Sequence, residues 1–491
     1  MDHNLDNIIA PATPVGAGAV GIIRLSGSDV ITIADTVFSP AANSRKKSAS
    51  LKATDSYKMV FGKIQENSHL IDECLAAVFR APNSYTGENC VEFYTHASSY
   101  IMEKVQMMLI DSASRLFKSK KISDKLRIAE PGEFTQRAFL NGKMDLAQAE
   151  AVADLIASET ESSHDIAINQ LRGNFSKELR DVRSSLLSLC SLIELELDFS
   201  EEDVEFADRK KHTSLLSATY VKVKDLADSF ALGNVIKNGI PVAIVGAVNT
   251  GKSTLLNLIL GEERAIVSPI QGTTRDTIED NLNIGGTMFR FIDTAGIRNT
   301  TQTIEIMGIE RTWQKLKESS VIILMLDSTR EESFLPSITT IAEKTDKKRQ
   351  RLIIVANKLD KSKADPEETE ATIKAICKKL KLSDVKILAT SLKKDRQSAK
   401  QTIESHLADI GKSFAKNLQG KTYVTNLRHY QALKMAQESI ERVFDGIDSN
   451  LPTDLLAQDL RQATDDLGSI IGEISSQDIL SNIFSHFCIG K

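Results

Sequence analysis

The stretch Gly246-Ala247-Val248-Asn249-Thr250-Gly251-Lys252-Ser253 constrains this chain more than any other. It fits the spacing G-x-x-x-x-G-K-[ST], with the apolar run Pro241 to Val245 before it and Thr254 to Leu260 (TLLNLIL) after it. A strand, a glycine-rich loop and a helix opening on Lys-Ser form the setting in which that spacing has physical meaning. Successive backbone N–H groups around the glycines can cradle phosphates, and the helix N-terminus and Lys252 add positive charge. Ser253 offers a hydroxyl to Mg²⁺. A glycine-rich turn with no ligand is the alternative, and the strand-loop-helix context argues against it.

Three later segments follow in the order that a guanine-nucleotide domain needs. Phe289 to Ile292 reads as a strand ending in Asp293-Thr294-Ala295-Gly296. A carboxylate there can hold Mg²⁺ through water, and the glycine N–H can meet a γ-phosphate. Leu352 to Ala356 is a second buried strand, ending in Asn357-Lys358-Leu359-Asp360. The Asp360 carboxylate can accept hydrogen bonds from both N–H groups on guanine's Watson–Crick edge, whereas an ATP site would leave it unpaired. Strand Val385 to Leu388 leads to Thr390-Ser391, placed to bracket the base. Between the phosphate loop and Asp293 lies a candidate switch loop, Gln271-Gly272-Thr273-Thr274-Arg275-Asp276. Thr274 can hold Mg²⁺ while γ-phosphate is present, and Ser268, Pro269 and Ile270 are counted with the same site. Ile297 follows Gly296 where signalling GTPases place a water-orienting glutamine, so hydrolysis needs another group.

At 491 residues the chain is long enough for about three domains. With 26% charged and 41% apolar residues it has ordinary globular composition, and a net charge of -5 gives no global basic field. RNA contact would use local patches, such as Arg45-Lys46-Lys47 or the run Lys118, Lys120, Lys121, Lys125 and Arg127; a solvated face is the plainer reading of either. The five cysteines are scattered and form no C-x-x-C pair, which argues against a disulfide framework or zinc site and for a reducing compartment. The N-terminus lacks a signal-peptide core, and runs such as Val321 to Leu326 are too short to span a bilayer. A cytoplasmic protein with no membrane association is expected.

Residues 1–142 read as mixed α/β, with strands at Gly21 to Leu25 and Leu75 to Phe79 and helical spacing from Tyr100 to Phe117. Gly16 to Gly21 formally matches G-x-G-x-x-G, but a β-branched run follows where a helix should open, so a dinucleotide site is rejected. Pro82 to Glu88 and Glu130 to Arg137 read as polar turns. Residues 143–234 become helical, as in Leu146 to Ile156 and the leucine-rich Leu186 to Leu197. Helical character returns from Phe414 to Phe484. Helices on both sides of an α/β unit suggest a nucleotide domain inserted into one helical domain; separate helical domains are the alternative.

With these residues assembled, the chain resembles the MnmE (TrmE) family of tRNA-modification GTPases from end to end. The resemblance rests on Ala12-Thr13-Pro14 with Gly21-Ile22-Ile23-Arg24-Leu25-Ser26-Gly27, on Pro82 to Glu88, and on Arg137 to Lys143 with Asp145 to Ala151. The nucleotide motifs and the terminal Phe487-Cys488-Ile489-Gly490-Lys491 complete it. It implies an α+β folate-binding and dimerising domain at 1–142, a helical domain at 143–234 and 413–491, and an α/β P-loop GTPase domain at 235–412. It further implies a homodimer that works with the FAD-dependent partner MnmG (GidA) in a heterotetramer. Together they would place an aminomethyl-type group on C5 of the wobble uridine of certain tRNAs, using a 5-formyl- or methylene-tetrahydrofolate carbon. By position, the folate contacts fall on Arg24, Glu92, Lys143 and Lys491, and Cys488 is a candidate reactive thiol or a buried structural one.

The resemblance also answers the missing glutamine. It implies K⁺-dependent association of GTPase domains, the ion being held by Asn249, Ser268, Ile270 and Thr273. Glu305 would orient water, alongside Lys252 and Thr274 as catalytic groups. Ala247-Val248, Ser268 and Thr390-Ser391 depart from the residues usual in the family. Two rival readings are a GTP-dependent switch on RNA or ribosomes without base chemistry, and a dynamin-like membrane scaffold. The folate-site residues and Cys488 speak against the first, and the lack of a lipid-inserting segment against the second.

Overall fold

A computed structural model describes residues 6–14, 16–41, 50–198, 209–261, 280–292, 316–346, 349–415, 422–449, 451–474, 477–485, 487 and 489–490. They form two units, one comprising Met1–Ala153, Gln170–Asp198 and Thr453–Lys491, the other Asp154–Asn169 and Phe199–Pro452.

In the first unit seven strands form one sheet: β1 (Asn7–Pro11), β2 (Gly18–Ser26), β3 (Phe38–Pro40), β4 (Lys58–Glu66), β5 (His69–Phe79), β6 (Cys90–Ala97) and β7 (Leu126–Ile128). Their order is β3-β4-β5-β6-β2-β1-β7, antiparallel except for β1 beside β7. Alternation decides which face is covered. Cys74, Ala76 and Val78 of β5 are buried with Ile23, Leu25 and Phe93 beneath α1 (Val30–Val37) and α2 (Ser99–Lys118), whereas Met59, Phe61 and Leu75 point the other way and are exposed. The stretch Glu130 to Arg137, read above as a turn, instead opens α3 (Glu133–Leu140). Burial of Phe134 and Ala138 one helical turn apart outweighs its polar turn residues.

Helices α4 (Leu146–Ala157), α5 (Glu161–Leu171), α6 (Asn174–Asp198) and α7 (Arg209–Asn238) follow. The second unit then builds a six-stranded sheet from β8 (Ile240–Gly246), β9 (Asp280–Ile284), β10 (Thr287–Phe291), β11 (Val321–Asp327), β12 (Arg351–Asn357) and β13 (Lys386–Ala389), in the order β13-β12-β11-β8-β10-β9. All neighbours are parallel except β9 and β10. Near-continuous apolar strands are what a parallel sheet covered on both faces requires. One face (Val242, Ile244, Ile323, Met325, Ile353, Val355) packs on α8 (Lys252–Leu260) and α11 (Arg396–Ala415). The other face (Val245, Ile322, Leu324, Ile354) packs on α9 (Phe334–Lys344) and α10 (Pro366–Lys379). The start of α10 is fixed locally, with Pro366 in its first turn and the Asp365 carboxylate accepting from the Glu368 N–H.

Three C-terminal helices, α12 (Leu427–Asp448), α13 (Thr453–Ile471) and α14 (Gln477–Ser485), close the chain. In the first unit α6 packs along α13, and in the second α7 packs along α12, so segments from either side of the parallel sheet meet in both units. Among the described residues, no helix is long and apolar enough to cross a membrane. Cys74, Cys90, Cys190 and Cys377 are buried and form no disulfide among the described residues; Cys488 lies outside the described residues.

A buried ion network sets the N-terminal unit. Arg137, its side chain 3% exposed, donates to Glu133 Oε1 at 2.8 Å, to Glu88 at 3.2 Å and to the Asp6 carbonyl at 2.8 Å. Arg127 binds both oxygens of Glu133 at 2.7 and 2.8 Å. Burial alone would raise the Glu133 carboxyl, but hydrogen bonds from Arg127, the Glu130 N–H and Arg137 outweigh it and hold it below the ordinary range. Because the folded value is depressed, this stabilisation is full above the unfolded value of about 4.3 and is lost as pH falls through the folded one. Replacing Arg137 by Met is expected to cost about 3–5 kcal/mol, since it leaves Glu88 without its cation and the Asp6 carbonyl without its donor in a largely buried site, while Glu133 keeps only Arg127 and the Glu130 N–H; urea unfolding followed by circular dichroism measures it.

Candidate functional site

The second unit gathers its chemistry at the carboxyl ends of β8, β11, β12 and β13. Strand order turns back on either side of β8, and such a point leaves a crevice at the carboxyl edge of a parallel sheet. The loop from Gly246 to Gly251 rises there, and α8 begins at Lys252. Gly251 takes φ +105°, and a Cβ on it would collide with the Asn357 amide nitrogen, so the loop can lie this close only without a side chain. Asn249 is also left-handed at φ +64°, a conformation that asparagine tolerates better than most residues. The Thr250 hydroxyl donates to Ala247 O at 2.9 Å and closes the loop from inside.

Lys252 extends its ammonium back over the loop and donates to the carbonyls of Gly246 and Ala247, both at 2.8 Å. Burial pushes this ammonium below its ordinary value, so an anion beside it would be bound with the charge restored. Asn357 ties the loop to the far wall: its amide donates to Thr250 O at 2.9 Å and its Oδ1 accepts from the Leu392 N–H at 3.0 Å. Ser391 Oγ donates to Asp360 Oδ1 at 2.8 Å, and that bond first, then the neighbouring cations Lys394 and Lys361, holds the Asp360 carboxyl below its usual range. These groups line a cleft of about 310 Å³ that runs from Asn249, Lys252 and Ser253 to Lys358, Asp360 and Ser391.

The structure therefore brings Asn249, Gly251, Lys252, Ser253, Thr254, Asn357, Lys358, Asp360 and Ser391 to one cleft, with Thr250 and Thr390 buried behind it. Ser268, Pro269, Ile270, Gln271, Gly272, Thr273, Thr274, Asp293, Thr294, Ala295, Gly296, Ile297 and Glu305 lie outside the described residues. Sequence reasoning missed Asp327. This residue ends β11 opposite Asn357, accepts from Lys358 Nζ at 2.7 Å, and is itself held by the Thr329 N–H and hydroxyl. Burial would raise its carboxyl, but Lys358 and Thr329 bring it below the usual value. An acid at the end of a parallel strand was the available signal.

A second cluster lies in the first unit. Arg24 and Glu92 face each other across β2 and β6, with Nε to Oε1 at 2.7 Å, and the Tyr94 hydroxyl donates to Glu92 Oε2 at 2.7 Å. The Arg24 guanidinium also lies 5.7 Å from the ring centroids of Tyr85 and Phe134 and donates to Gly490 O at 3.4 Å. Lys143 is exposed and donates to Pro82 O at 3.0 Å, at the start of the loop that carries Tyr85. Lys491 and Cys488 lie outside the described residues.

A doubly wound sheet with such a loop after its central strand is a P-loop nucleotide-binding domain. Residues 7–143 match the family described as "GTP-binding protein TrmE N-terminus", and residues 146–488 match "MnmE helical domain". The tRNA modification GTPase MnmE of Bacteroides thetaiotaomicron is 47% identical over 494 residues, covering 99% of this chain and 100% of its own. The proteins of the same name from Bacteroides fragilis and Flavobacterium johnsoniae are 46% and 45% identical, again over 99% of this chain and 100% of theirs. The chain belongs to the MnmE (TrmE) family of tRNA-modification GTPases. Among solved structures, a GTP-binding protein from Sulfolobus solfataricus in complex with GDP aligns over 60% of this chain and 85% of its own, at 16% identity and a TM-score of 0.27.

Replacing Asp327 by Asn removes the charge that holds Lys358 and is expected to weaken guanine-nucleotide binding by about 10-fold, or ~1.4 kcal/mol. Titration with a fluorescent GDP analogue reads this; affinity equal to that of the unaltered protein would show Lys358 to be held by other means.

Proposed function

We propose that this protein is a Mg²⁺-dependent, K⁺-stimulated GTP hydrolase whose cycle gates modification of the wobble uridine of tRNA. The observation that carries the GTP assignment is the Asn357 carboxamide, which holds the phosphate loop and the Asp360–Ser391 wall in one cleft. Asp360 supplies the acceptor for guanine's two N–H donors, and Ser253 with Thr274 and Asp293 would hold Mg²⁺. Asn249, at the outer turn of the loop, would take the side-chain place among the K⁺ ligands, with Ser268, Ile270 and Thr273. Glu305 orients the attacking water, since Ile297 has no group that can. Monovalent charge beside the phosphates would serve where other GTPases use an arginine.

The Arg24–Glu92 pair supports a tetrahydrofolate site in the N-terminal unit. A pterin ring offers N–H donors to a carboxylate, and the anionic folate tail suits Arg24, Lys143 and Lys491. On this reading residues 1–142 bind folate and dimerise, 143–234 and 413–491 form the helical domain, and 235–412 the GTPase domain. The FAD-dependent MnmG (GidA) supplies the redox chemistry in a heterotetramer, in the cytoplasm.

Glu305→Ala is expected to abolish GTP turnover while GTP affinity stays within a few-fold of the parent; near-normal turnover would remove Glu305 from the mechanism. Exchanging K⁺ for Na⁺ is expected to slow turnover of the unaltered protein by about 10-fold or more. The folate assignment predicts saturable binding of 5-formyltetrahydrofolate that is lost in Arg24→Met, read by isothermal titration. Nucleoside analysis of tRNA from cells lacking the protein, before and after complementation, tests the modification itself.

A further inference from the structure

The end of α2 carries a basic turn that neither proposed site uses. From Arg115 to Lys125 the sequence reads RLFKSKKISDK. The helix is closed by Ser119 N–H to Arg115 O and Lys121 N–H to Leu116 O, and Lys120 takes φ +56°. Glycine or asparagine is usual at that left-handed position, and a residue with a Cβ costs about 1–2 kcal/mol there. The turn is anchored on both sides. Ile122 and Leu126 are buried in the N-terminal core, and the Ser123 and Asp124 N–H groups both donate to Asp29 Oδ2.

Arg115, Lys118, Lys120, Lys121 and Lys125 are all exposed, and none has a carboxylate partner among the described residues. Elsewhere in the same unit Lys63 and Lys104 are paired, with Glu73 and Glu66. Asp111 and Asp124 are the only acids in the sequence from 111 to 125, so five cations stand against two. Phe117 is 37% exposed among them, with the Lys125 ammonium 5.7 Å from its ring centroid. Cations in excess over the neighbouring acids Asp111, Asp124 and Asp29, on an anchored turn around an exposed ring, form a surface for a phosphodiester backbone with one base-stacking platform.

We propose that this turn docks the tRNA. The proposal rests on the tRNA reading above and gives it a place. Leu126 pairs with Asn7, and Ala10 pairs with Arg24. Lys125 thus lies four strand positions, about 13 Å, along the strand direction from the level of the Arg24–Glu92 pair, and two strands across from it. RNA held here lies in the same unit as the proposed folate site but on the other side of the sheet, because Ile23, Leu25, Val91 and Phe93 fill the α2 face and Arg24 and Glu92 point away from it. An anionic membrane is disfavoured because the apolar face of α2 (Val105, Met108, Leu109) is already buried in the core, which leaves only Tyr100, Met107 and Phe117 as exposed large apolar residues along it.

The test compares the full-length protein with two variants: Lys118→Ala, Lys120→Ala, Lys121→Ala and Lys125→Ala combined, and the same four positions changed to Arg. Binding to unmodified tRNA is followed by fluorescence anisotropy between about 50 and 200 mM salt. The alanine variant is expected to lose at least about 10-fold in affinity, and its slope of log affinity against log salt is expected to shrink by about 3. The arginine variant keeps both; GTP turnover without tRNA is unchanged in each, and the far-UV circular dichroism and thermal unfolding of each match the unaltered protein, which shows the N-terminal unit to be folded. Parental affinity and slope in the alanine variant overturn the surface, as does binding to phosphatidylserine vesicles in place of tRNA. If that variant also restores wobble-uridine modification in deleted cells, the tRNA reading stands and the docking surface alone is wrong.

Discussion

The Asn357 carboxamide is the joint on which the nucleotide cleft depends. One side chain reaches from the end of β12 to the carbonyl of Thr250 and to the N–H of Leu392. It is buried, so both bonds are made in a low-dielectric setting where an unmade one costs about 1–3 kcal/mol. The phosphate loop and the wall that carries Asp360 therefore cannot drift apart independently. The clearance is set from the other side by Gly251, whose missing Cβ leaves room for the same amide.

A comparable role falls to Arg137 in the N-terminal unit, with different physics. Here the tie is ionic: a guanidinium enclosed by Glu133, Glu88 and the Asp6 carbonyl joins α3, the Pro82–Glu88 loop and the start of β1. Glu88 in turn accepts from Ser26 Oγ at 2.7 Å, two residues from Arg24 on the same strand. The loop carrying Tyr85 is held against β2 by this chain of bonds, and the guanidinium of Arg24 is bracketed by Tyr85 and Phe134 as a result. Such a network adds little net stability against an apolar core of equal volume, but it fixes one geometry for the polar groups at the surface.

Membership of the MnmE family gives both clusters one context. The nucleotide cleft belongs to the second unit, while the Arg24–Glu92 pair and the basic turn after α2 belong to the first. Chemistry at the base and energy from the nucleotide are thus read as separate tasks. Within the first unit, the sheet itself lies between the cations that would hold RNA, on the α2 side, and the pair that would hold folate, on the opposite face.

The sequence by itself determined the parallel sheet and its phosphate loop, because apolar runs and glycine spacing are local signals that survive without neighbours. Gly246 to Ser253, Asn357 to Asp360 and the strands before them were legible for that reason. So was the pairing of α/β and helical segments, since helical periodicity needs no partner to be seen. Tertiary structure alone decided that Asp327 holds Lys358, that Arg137 joins three elements and that residues 133–137 begin a helix. It also decided which lysines after α2 stand unpaired on an anchored turn and which elsewhere have acid partners. Each of these facts depends on contacts with residues remote in the chain, through packing or the need to satisfy buried charge, and no periodicity along the sequence encodes it.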